Sequence, residues 1–156
     1  MSTIREQIVA AAVTALNTAR PTGVPAAIRT RLDSPSAAQL PALTVYQAAE
    51  SVEPMHRERM GAAQRGPVVK RTLFLNVEVV TKAGATEEPD KAADPILAWA
   101  VKSVVGAGTM NGLANNAADE VGTKFEYDQS ETSFCRATTT FRIEYQSRTS
   151  DAEQAA

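Results

Sequence analysis

VVKRTLFLNVEVVT, residues 68 to 81, is the stretch that decides the fold. Its apolar side chains lie at the spacing of two that a pleated strand imposes: Val69, Leu73, Leu75, Val77 and Val79. The alternate positions are polar: Lys70, Thr72, Asn76 and Glu78. This pattern predicts a long strand with one face against a core and the other face toward water.

A second stretch with the same alternation, FCRATTTFRIEYQ, covers residues 134 to 146. The side chains expected to point inward from it are Cys135, Ala137, Thr139, Phe141, Ile143 and Tyr145. Charged and threonine side chains occupy the positions between them. We expect the two long strands to be neighbours in one antiparallel sheet, on which the other elements pack.

Two further stretches have the apolar spacing of three and four residues that is typical of helices packed on a sheet. The first begins at the T-x-x-E capping box of residues 3–6 and is expected to end near Thr18. The second is expected to begin with Asp94 as its N-cap and Pro95 at its first helical position.

Shorter strands are predicted over residues 26–32, 42–48 and 124–128. We expect residues 50–67 to form a long flexible loop and residues 151–156 to be a frayed polar tail. Residues 1–150 would then be a single α+β domain. It would contain a mainly antiparallel mixed sheet of about four to five strands, with both helices packed on one face.

The composition argues against several classes of protein. A formal net charge of −2 disfavours a dedicated nucleic-acid binder, which is usually strongly basic. A single cysteine forms no internal disulfide, and Arg5 and Glu6 stand where a signal peptide needs an apolar run. Because no apolar run is long enough for a membrane span, we expect no membrane contact and a soluble protein made in a cytoplasm.

The residues that most often carry chemistry form no recognisable site. Cys135 is expected to be a buried and inert thiol, and His56 has no second histidine or cysteine nearby for a metal. The glycine run at 106–112 is better explained by helix termination than by a phosphate loop. Glu126 and Asp128 lie on one strand face and are expected to be solvated. We therefore predict no catalytic residue, no cofactor, no metal and a protein that is not an enzyme.

Charges of opposite sign gather in different parts of the chain. Residues 54–71 hold five basic side chains against one acidic, whereas residues 119–131 hold five acidic side chains against Lys124. Such patches can serve solubility alone, and they also suit head-to-tail association between copies. The residues predicted to lie at a subunit or tail-tube interface are Tyr46, Met55, Arg57, Arg59, Arg65, Arg71, Phe74, Glu126, Asp128, Arg136 and Arg142.

Several strings, taken in order, resemble the tail terminator proteins of long-tailed bacteriophages, the group that includes the minor tail protein U of lambda-like phages. They are IREQIVAAAVTAL (4–16), LPALTVY (40–46), TLFLNVEVVTK (72–82), DPILAWAVKSVV (94–105), MNGLANNAADEVGTKFEYD (110–128) and ATTTFRIEYQSR (137–148). The resemblance covers about residues 4 to 148 and depends on the order and spacing of these strings.

The resemblance implies a structural virion protein without catalytic activity. Copies would form a homo-hexameric ring that caps the tail tube, stops its polymerisation and forms the tail side of the head–tail joint. The implied partners are other copies, the tail tube protein, the head–tail connector or neck proteins, and phage DNA that passes through the lumen without base reading. The protein would be assembled in the host cytoplasm and would lie at the head-proximal end of the tail.

Other functions stay open at this point. One is a different head–tail connector, neck or tail-tube subunit with a related fold. Another is a monomeric, non-catalytic binding module, which would need an apolar pocket with convergent polar groups. Nucleic-acid binding is disfavoured because the chain lacks the interleaved aromatic and basic residues that bind single strands.

Overall fold

The described part of the chain forms two helices and six strands. A computed structural model describes residues 2–30, 33–55, 68–83, 88–128, 133–148 and 151–155. The elements are helix α1 (Ile4–Asn17), strand β1 (Ala27–Arg29), a 3-10 turn (Ala37–Gln39), strands β2 (Ala42–Pro54) and β3 (Val68–Lys82), helix α2 (Pro89–Gly106), and strands β4 (Asp119–Asp128), β5 (Phe134–Arg148) and β6 (Asp151–Ala155). Within the described residues, neither helix is long and apolar enough to cross a membrane.

The strands form one mixed sheet in the order β1-β2-β3-β5-β4, and β6 also pairs with β5. Among the described strands, β1 and β2 run parallel and the other pairs are antiparallel. The two long strands are the centre of the sheet, because β3 and β5 pair without a break from Val68 opposite Arg148 to Lys82 opposite Phe134. The predicted α+β fold and the predicted pairing of these strands are confirmed.

Both helices pack on one face of this sheet, as predicted. The inward side chains of the central strands are fully buried, and the largest are Leu73, Leu75, Phe141 and Ile143. They share one apolar cluster with α1 and α2, which contribute Ile4, Ile8, Leu16, Ala93, Ile96, Ala100 and Val104. The opposite face of the sheet is called the open face below.

Helix α1 has the predicted bounds because its ends are fixed locally. The side-chain oxygen of Thr3 accepts a hydrogen bond from the backbone N–H of Glu6 at 3.2 Å, which satisfies one of the free donors of the first turn. The helix ends at Asn17, where the amide of that side chain bonds the backbone of Ala27 in β1. These contacts tie the end of α1 to the edge of the sheet.

The predicted start of the second helix at Asp94 was wrong. Helix α2 begins six residues earlier, with Glu88 as its N-cap in place of Asp94 and Pro89 as its first residue in place of Pro95. Proline is tolerated in the first turn because its missing N–H has no helical partner there, whereas Pro95 lies inside the helix. The hydroxyl of Thr81 donates to the Pro89 carbonyl at 2.7 Å. This contact with β3 stabilises a first turn that the local sequence does not reveal.

The predicted loop over residues 50–67 was also partly wrong. Strand β2 continues to Pro54 and pairs with β3 from Glu50 opposite Leu73 to Pro54 opposite Val69. A bulge between Gln47 and Ala49 breaks the alternation of faces, so the apolar pattern of a strand is lost beyond it. Residues 56–67 of that loop lie outside the described residues.

Two other strands differ from their predictions. Strand β4 begins at Asp119 rather than near residue 124, and residues 151–155 of the predicted frayed tail form β6. Both strands pair with β5. A long partner strand can hold sequences whose own apolar pattern is weak, because backbone hydrogen bonds need no particular side chain.

Candidate subunit interface

Four of the residues predicted for an interface lie on the open face in strands β2, β3 and β5. Tyr46 and Phe74 are half-buried there, on β2 and β3, and Arg136 and Arg142 extend from β5. Phe74 stands directly opposite Arg142, so an aromatic ring and a guanidinium are neighbours on this face. The sequence placed these side chains on the polar faces of their strands, and the strand registers agree.

Three basic side chains of the open face form ion pairs with carboxylates. Arg142 Nη2 lies 2.7 Å from Asp119 Oδ2, and this hydrogen bond raises the pKa of Arg142. Lys70 Nζ lies 3.0 Å from Glu144 Oε1, and Arg136 Nε lies 3.6 Å from Glu78 Oε2. The face therefore alternates positive and negative groups and is not a continuous basic surface. Such a mosaic suits a contact with specific charge pairs better than the retention of a polyanion.

A cleft of about 540 Å³ lies at the β1 end of the sheet, and its walls contain residues of both the open face and α1. Its walls include Arg29, Ser34, Tyr46, Glu78 and Arg136, and two ion pairs line it: Arg29 with Glu6 and Arg136 with Glu78. This lining is mainly polar. It lacks the predominantly apolar wall that is typical of small-molecule pockets.

Arg71 lies on the helix side of β3, in a group of polar side chains called the Glu50 cluster. Its Nη1 donates to Glu50 Oε2 at 2.9 Å, and its Nε donates to Ser147 Oγ at 2.7 Å. Arg5 of α1 also donates to Glu50, at 3.4 Å, as does the hydroxyl of Tyr145. Arg71 therefore joins β2, β3 and β5 within the chain.

The Glu50 cluster is well shielded from water. The side chains of Glu50 and Arg71 are only 12% and 19% exposed, and Tyr145 is buried. Burial raises the pKa of the Tyr145 phenol, and its hydrogen bond to the Glu50 carboxylate raises it further. The phenol therefore stays protonated and donates to the carboxylate. The cluster fixes the part of β2 beyond its bulge against the centre of the sheet.

Strand β4 forms one edge of the sheet and exposes all ten of its residues. One side of it pairs with β5, and no other strand of the described chain pairs with its outer side. The outward backbone N–H and C=O groups of residues 119–127 can therefore pair with another strand. We call this outer side the β4 edge.

Two aromatic side chains of β4 are exposed beside this edge. Phe125 is 42% exposed and Tyr127 is 55% exposed. They stand opposite Ala137 and Cys135, whose side chains face the core, so both rings lie on the helix side of the sheet where α2 does not cover them. The pKa of Tyr127 is raised by partial desolvation and then by Asp90 and Asp94 of α2. The two rings are called the β4 aromatic pair.

The other face of β4 is charged. Lys124 Nζ lies 2.7 Å from Glu126 Oε1, and this hydrogen bond lowers the pKa of the Glu126 carboxyl. Glu126 stands opposite Arg136 and Asp128 stands opposite Phe134. The charged side chains of β4 therefore continue the open face to the edge of the sheet. Glu126 and Asp128 lie on one strand face and are exposed, as expected from the sequence, and their place at an interface stays a prediction.

No family model matches the chain, and no curated protein matches it in sequence. Among the residues described, no three His, Cys, Asp or Glu side chains are grouped so that they could hold a metal ion. The candidate interface is therefore defined by geometry and by the sequence resemblance alone.

The remaining predicted residues fall elsewhere. Met55 follows β2 and is half-buried, and its N–H donates to the Val68 carbonyl at 3.4 Å. Three of the predicted arginines lie outside the described residues: Arg57, Arg59 and Arg65. The prediction also missed Phe125 and Tyr127. The alternation in FEYD, residues 125 to 128, does place both aromatic side chains on one strand face. Such a pattern does not distinguish a face buried in the core of the chain from a face covered by a partner.

Proposed function

We propose that this protein is a tail terminator of a long-tailed bacteriophage. Copies associate into a ring at the end of the tail tube, and the ring stops tube polymerisation and forms the tail side of the head–tail joint. The role is structural and not catalytic. The order and spacing of the sequence strings support this function, and the α+β fold is compatible with it.

The exposed β4 is the observation that carries the proposal. An edge strand whose outer side no described strand covers, and which has exposed aromatic rings, is a hazard for a protein that works alone, because it pairs readily with other strands. Aromatic side chains are enriched where partners meet. A subunit that works in an assembly can have such an edge, since a partner covers it in the final structure.

The opposite end of the sheet also has an incomplete edge. Strand β1 pairs with β2 only from Leu43 to Val45, and no other described strand pairs with residues 46–54 on that side. The sheet therefore has a different open edge at each end. Two different surfaces on one subunit suit head-to-tail contacts, which close into a ring when the rotation between neighbours allows it.

The mechanism is occupancy of a surface. One side of the ring is complementary to the last ring of the tube and binds there in place of another tube subunit. The other side does not reproduce that surface, so polymerisation stops. The net charge of −2 and the ion-paired arginines of the open face favour DNA passage without tight retention, because strong DNA binding needs unpaired basic groups.

Electron microscopy of the protein mixed with tails that lack their terminator, or with polymerising tail tubes, tests this function. We expect a ring of density at one end of each tube and a tube length that stays fixed. A variant with Phe125→Ser and Tyr127→Ser should lose this arrest, because it removes the exposed rings from the β4 edge. The control is Lys102→Glu, which changes an exposed side chain of α2 and should arrest growth normally.

Tubes that lengthen past the added protein, without bound density, would contradict the proposal. The preferred function would then be a neck component or an unrelated binding module. Full arrest by the double serine variant would show that the ring forms without the β4 aromatic pair, and the contact would have to lie elsewhere on the subunit.

A further inference from the structure

The β4 edge can accept a second copy of itself, and the geometry of strands limits how. Along an edge strand, alternate residues direct their N–H and C=O groups outward. Two antiparallel copies of one strand exchange hydrogen bonds only where outward residues meet outward residues. Such registers place one residue opposite its own copy, on a two-fold axis. Only a few residues of β4 can occupy that axis.

The charges of β4 favour one of these registers. With Phe125 on the axis, Lys124 of each copy stands opposite the partner's Glu126, so two oppositely charged pairs form. With Lys124 on the axis, the two lysines meet and repel each other. With Thr123 on the axis, Lys124 stands opposite the partner's Gly122, so no charged pair forms. Glu120 changes neither result, because the bulge before Gly122 places it on the helix side of the sheet, away from Glu126 and Asp128.

The register with Glu126 on the axis is also less favourable. It pairs Lys124 with the partner's Asp128, but it brings the two Glu126 carboxylates together at the centre. Like charges directly opposite each other are destabilising. The Phe125 register is the one that makes two attractive pairs without a repulsive pair beside them.

The same register also covers the exposed rings. Phe125 stands beside its own copy, and Thr123 stands opposite the partner's Tyr127. Opposite residues of antiparallel strands share a face, so the four rings form one row on the helix side, between α2 and its copy. Aromatic pairs across neighbouring strands are favourable contacts. Charge, shape and backbone pairing therefore select the same arrangement.

We propose that two copies of this protein associate through antiparallel pairing of their β4 strands, with Phe125 on the two-fold axis and Lys124 opposite the partner's Glu126. The sheet then continues from one copy into the other, with all helices on one side. This association does not depend on the proposed function. If the protein is a tail terminator, the dimer hides the β4 edge before assembly and must separate before a ring forms, and only this consequence rests on that function.

Charge-reversal variants of Lys124 and Glu126 test whether the two β4 strands pair with Phe125 on the axis. Lys124→Glu places glutamates opposite each other in both pairs, and Glu126→Lys places lysines opposite each other. Light scattering of the wild-type protein should show a mass that rises with concentration to twice that of one chain, and each variant alone should stay at the mass of one chain. An equimolar mixture of the two variants should recover the dimer, because each copy now supplies the opposite charge to the other.

Cysteine crosslinking gives a second, independent measurement. The chain has one cysteine, Cys135, which is buried. Phe125→Cys should form a disulfide-linked dimer on mild oxidation, since residues opposite each other bring their Cβ atoms to about 4.5–5.5 Å. Tyr127→Cys alone should crosslink at least tenfold more slowly, and a mixture of Thr123→Cys and Tyr127→Cys should form a mixed dimer.

Three results would overturn the proposal. The first is a wild-type mass that stays at one chain at every concentration. The second is a mass that grows beyond two chains, which indicates pairing of β4 with a different edge. The third is crosslinking of Tyr127→Cys as fast as Phe125→Cys. None of these measurements uses tail tubes, so their outcome is separate from that of the proposed function.

Discussion

At the scale of single residues, the Glu50 cluster is the feature that the fold depends on most. One carboxylate accepts hydrogen bonds from Arg5, Arg71 and Tyr145, which come from three different elements. A charge this far from water is tolerated only when it is paired and hydrogen-bonded. The cluster is therefore sensitive to the loss of one partner.

Replacing Glu50 with glutamine should destabilise the protein by about 2–3 kcal/mol, because it leaves the shielded Arg71 guanidinium without its counter-ion. The free energy of unfolding from urea titration measures this. Glu53→Gln, on the exposed end of the same strand, is the matched control and should change stability by less than about 0.5 kcal/mol. Equal effects of the two substitutions would show that the cluster contributes little.

Glu6 should give the stability an acid-dependent component. Its hydrogen-bonded ion pair with Arg29 lowers the pKa of its carboxyl, with a smaller lowering from Gln47. A carboxyl whose pKa is lowered in the folded state stabilises the protein above its unfolded pKa, and that contribution is lost as pH falls through the folded pKa. The side chains of Glu6 and Arg29 are 34% and 42% exposed. Water therefore screens the ion pair, and its contribution to the free energy of unfolding is small.

We expect wild type to be more stable than Glu6→Gln by about 0.5–1 kcal/mol at neutral pH. The difference should shrink as the pH falls below the ordinary range of a glutamate pKa, because the wild-type carboxyl then becomes protonated. Urea titrations of both proteins across this range provide the measurement. A difference that is the same at both ends of the range would mean that packing, and not charge, accounts for it.

At the scale of elements, helix α2 contains one proline that fits its first turn and one that interrupts the hydrogen bonding of its interior. Pro89 in the first turn fits the helix, but Pro95 removes one backbone hydrogen bond from its middle. The helix is held in spite of this by its buried face and by the indole N–H of Trp99, which donates to the Leu16 carbonyl of α1 at 3.1 Å. Tertiary contacts therefore outweigh the local cost.

Pro95→Ala should stabilise the protein by about 1–2 kcal/mol. An interior proline costs about 3 kcal/mol relative to alanine, and the gain is reduced because proline also restricts the unfolded chain. Pro89→Ala is the control and should give no gain, since its N–H would lack a helical acceptor. Thermal or urea unfolding of both variants decides the prediction, and an equal gain from both would contradict it.

At the scale of the whole molecule, one core holds both helices to the sheet, and each fully buried leucine, isoleucine or phenylalanine contributes roughly 1.5–3 kcal/mol. Cys135 lies in this core on β5, one strand away from the exposed β4 edge. Burial raises the pKa of its thiol, and the nearby Asp90 and Asp94 raise it further. The thiol is therefore both inaccessible and protonated at neutral pH.

Labelling of Cys135 by a thiol reagent should follow unfolding of the whole core. We expect labelling in native buffer to be at least a hundredfold slower than in denaturant, because β5 is the central partner of β3 and β4 and opens only with the sheet. The introduced thiol of Lys102→Cys, at an exposed position of α2, should label rapidly in the same native buffer. Rapid native labelling of Cys135 would show that the β4–β5 pair opens locally.

The sequence by itself determined those parts of the fold that depend on the spacing of apolar side chains and on capping residues close together in the chain. The alternation in β3 and β5 gave the inward faces, and the capping contact of Thr3 gave the start of α1. These predictions held because strand and helix periods are local properties. The buried state of Cys135 followed from the same alternation.

Only the tertiary structure decided the rest. The start of α2 depends on a contact with Thr81, and the length of β2 depends on pairing with β3 beyond a bulge. The exposure of Phe125 and Tyr127 depends on where α2 stops covering the sheet. A sequence pattern marks a face as apolar, but whether the chain itself or another molecule covers that face is settled by packing.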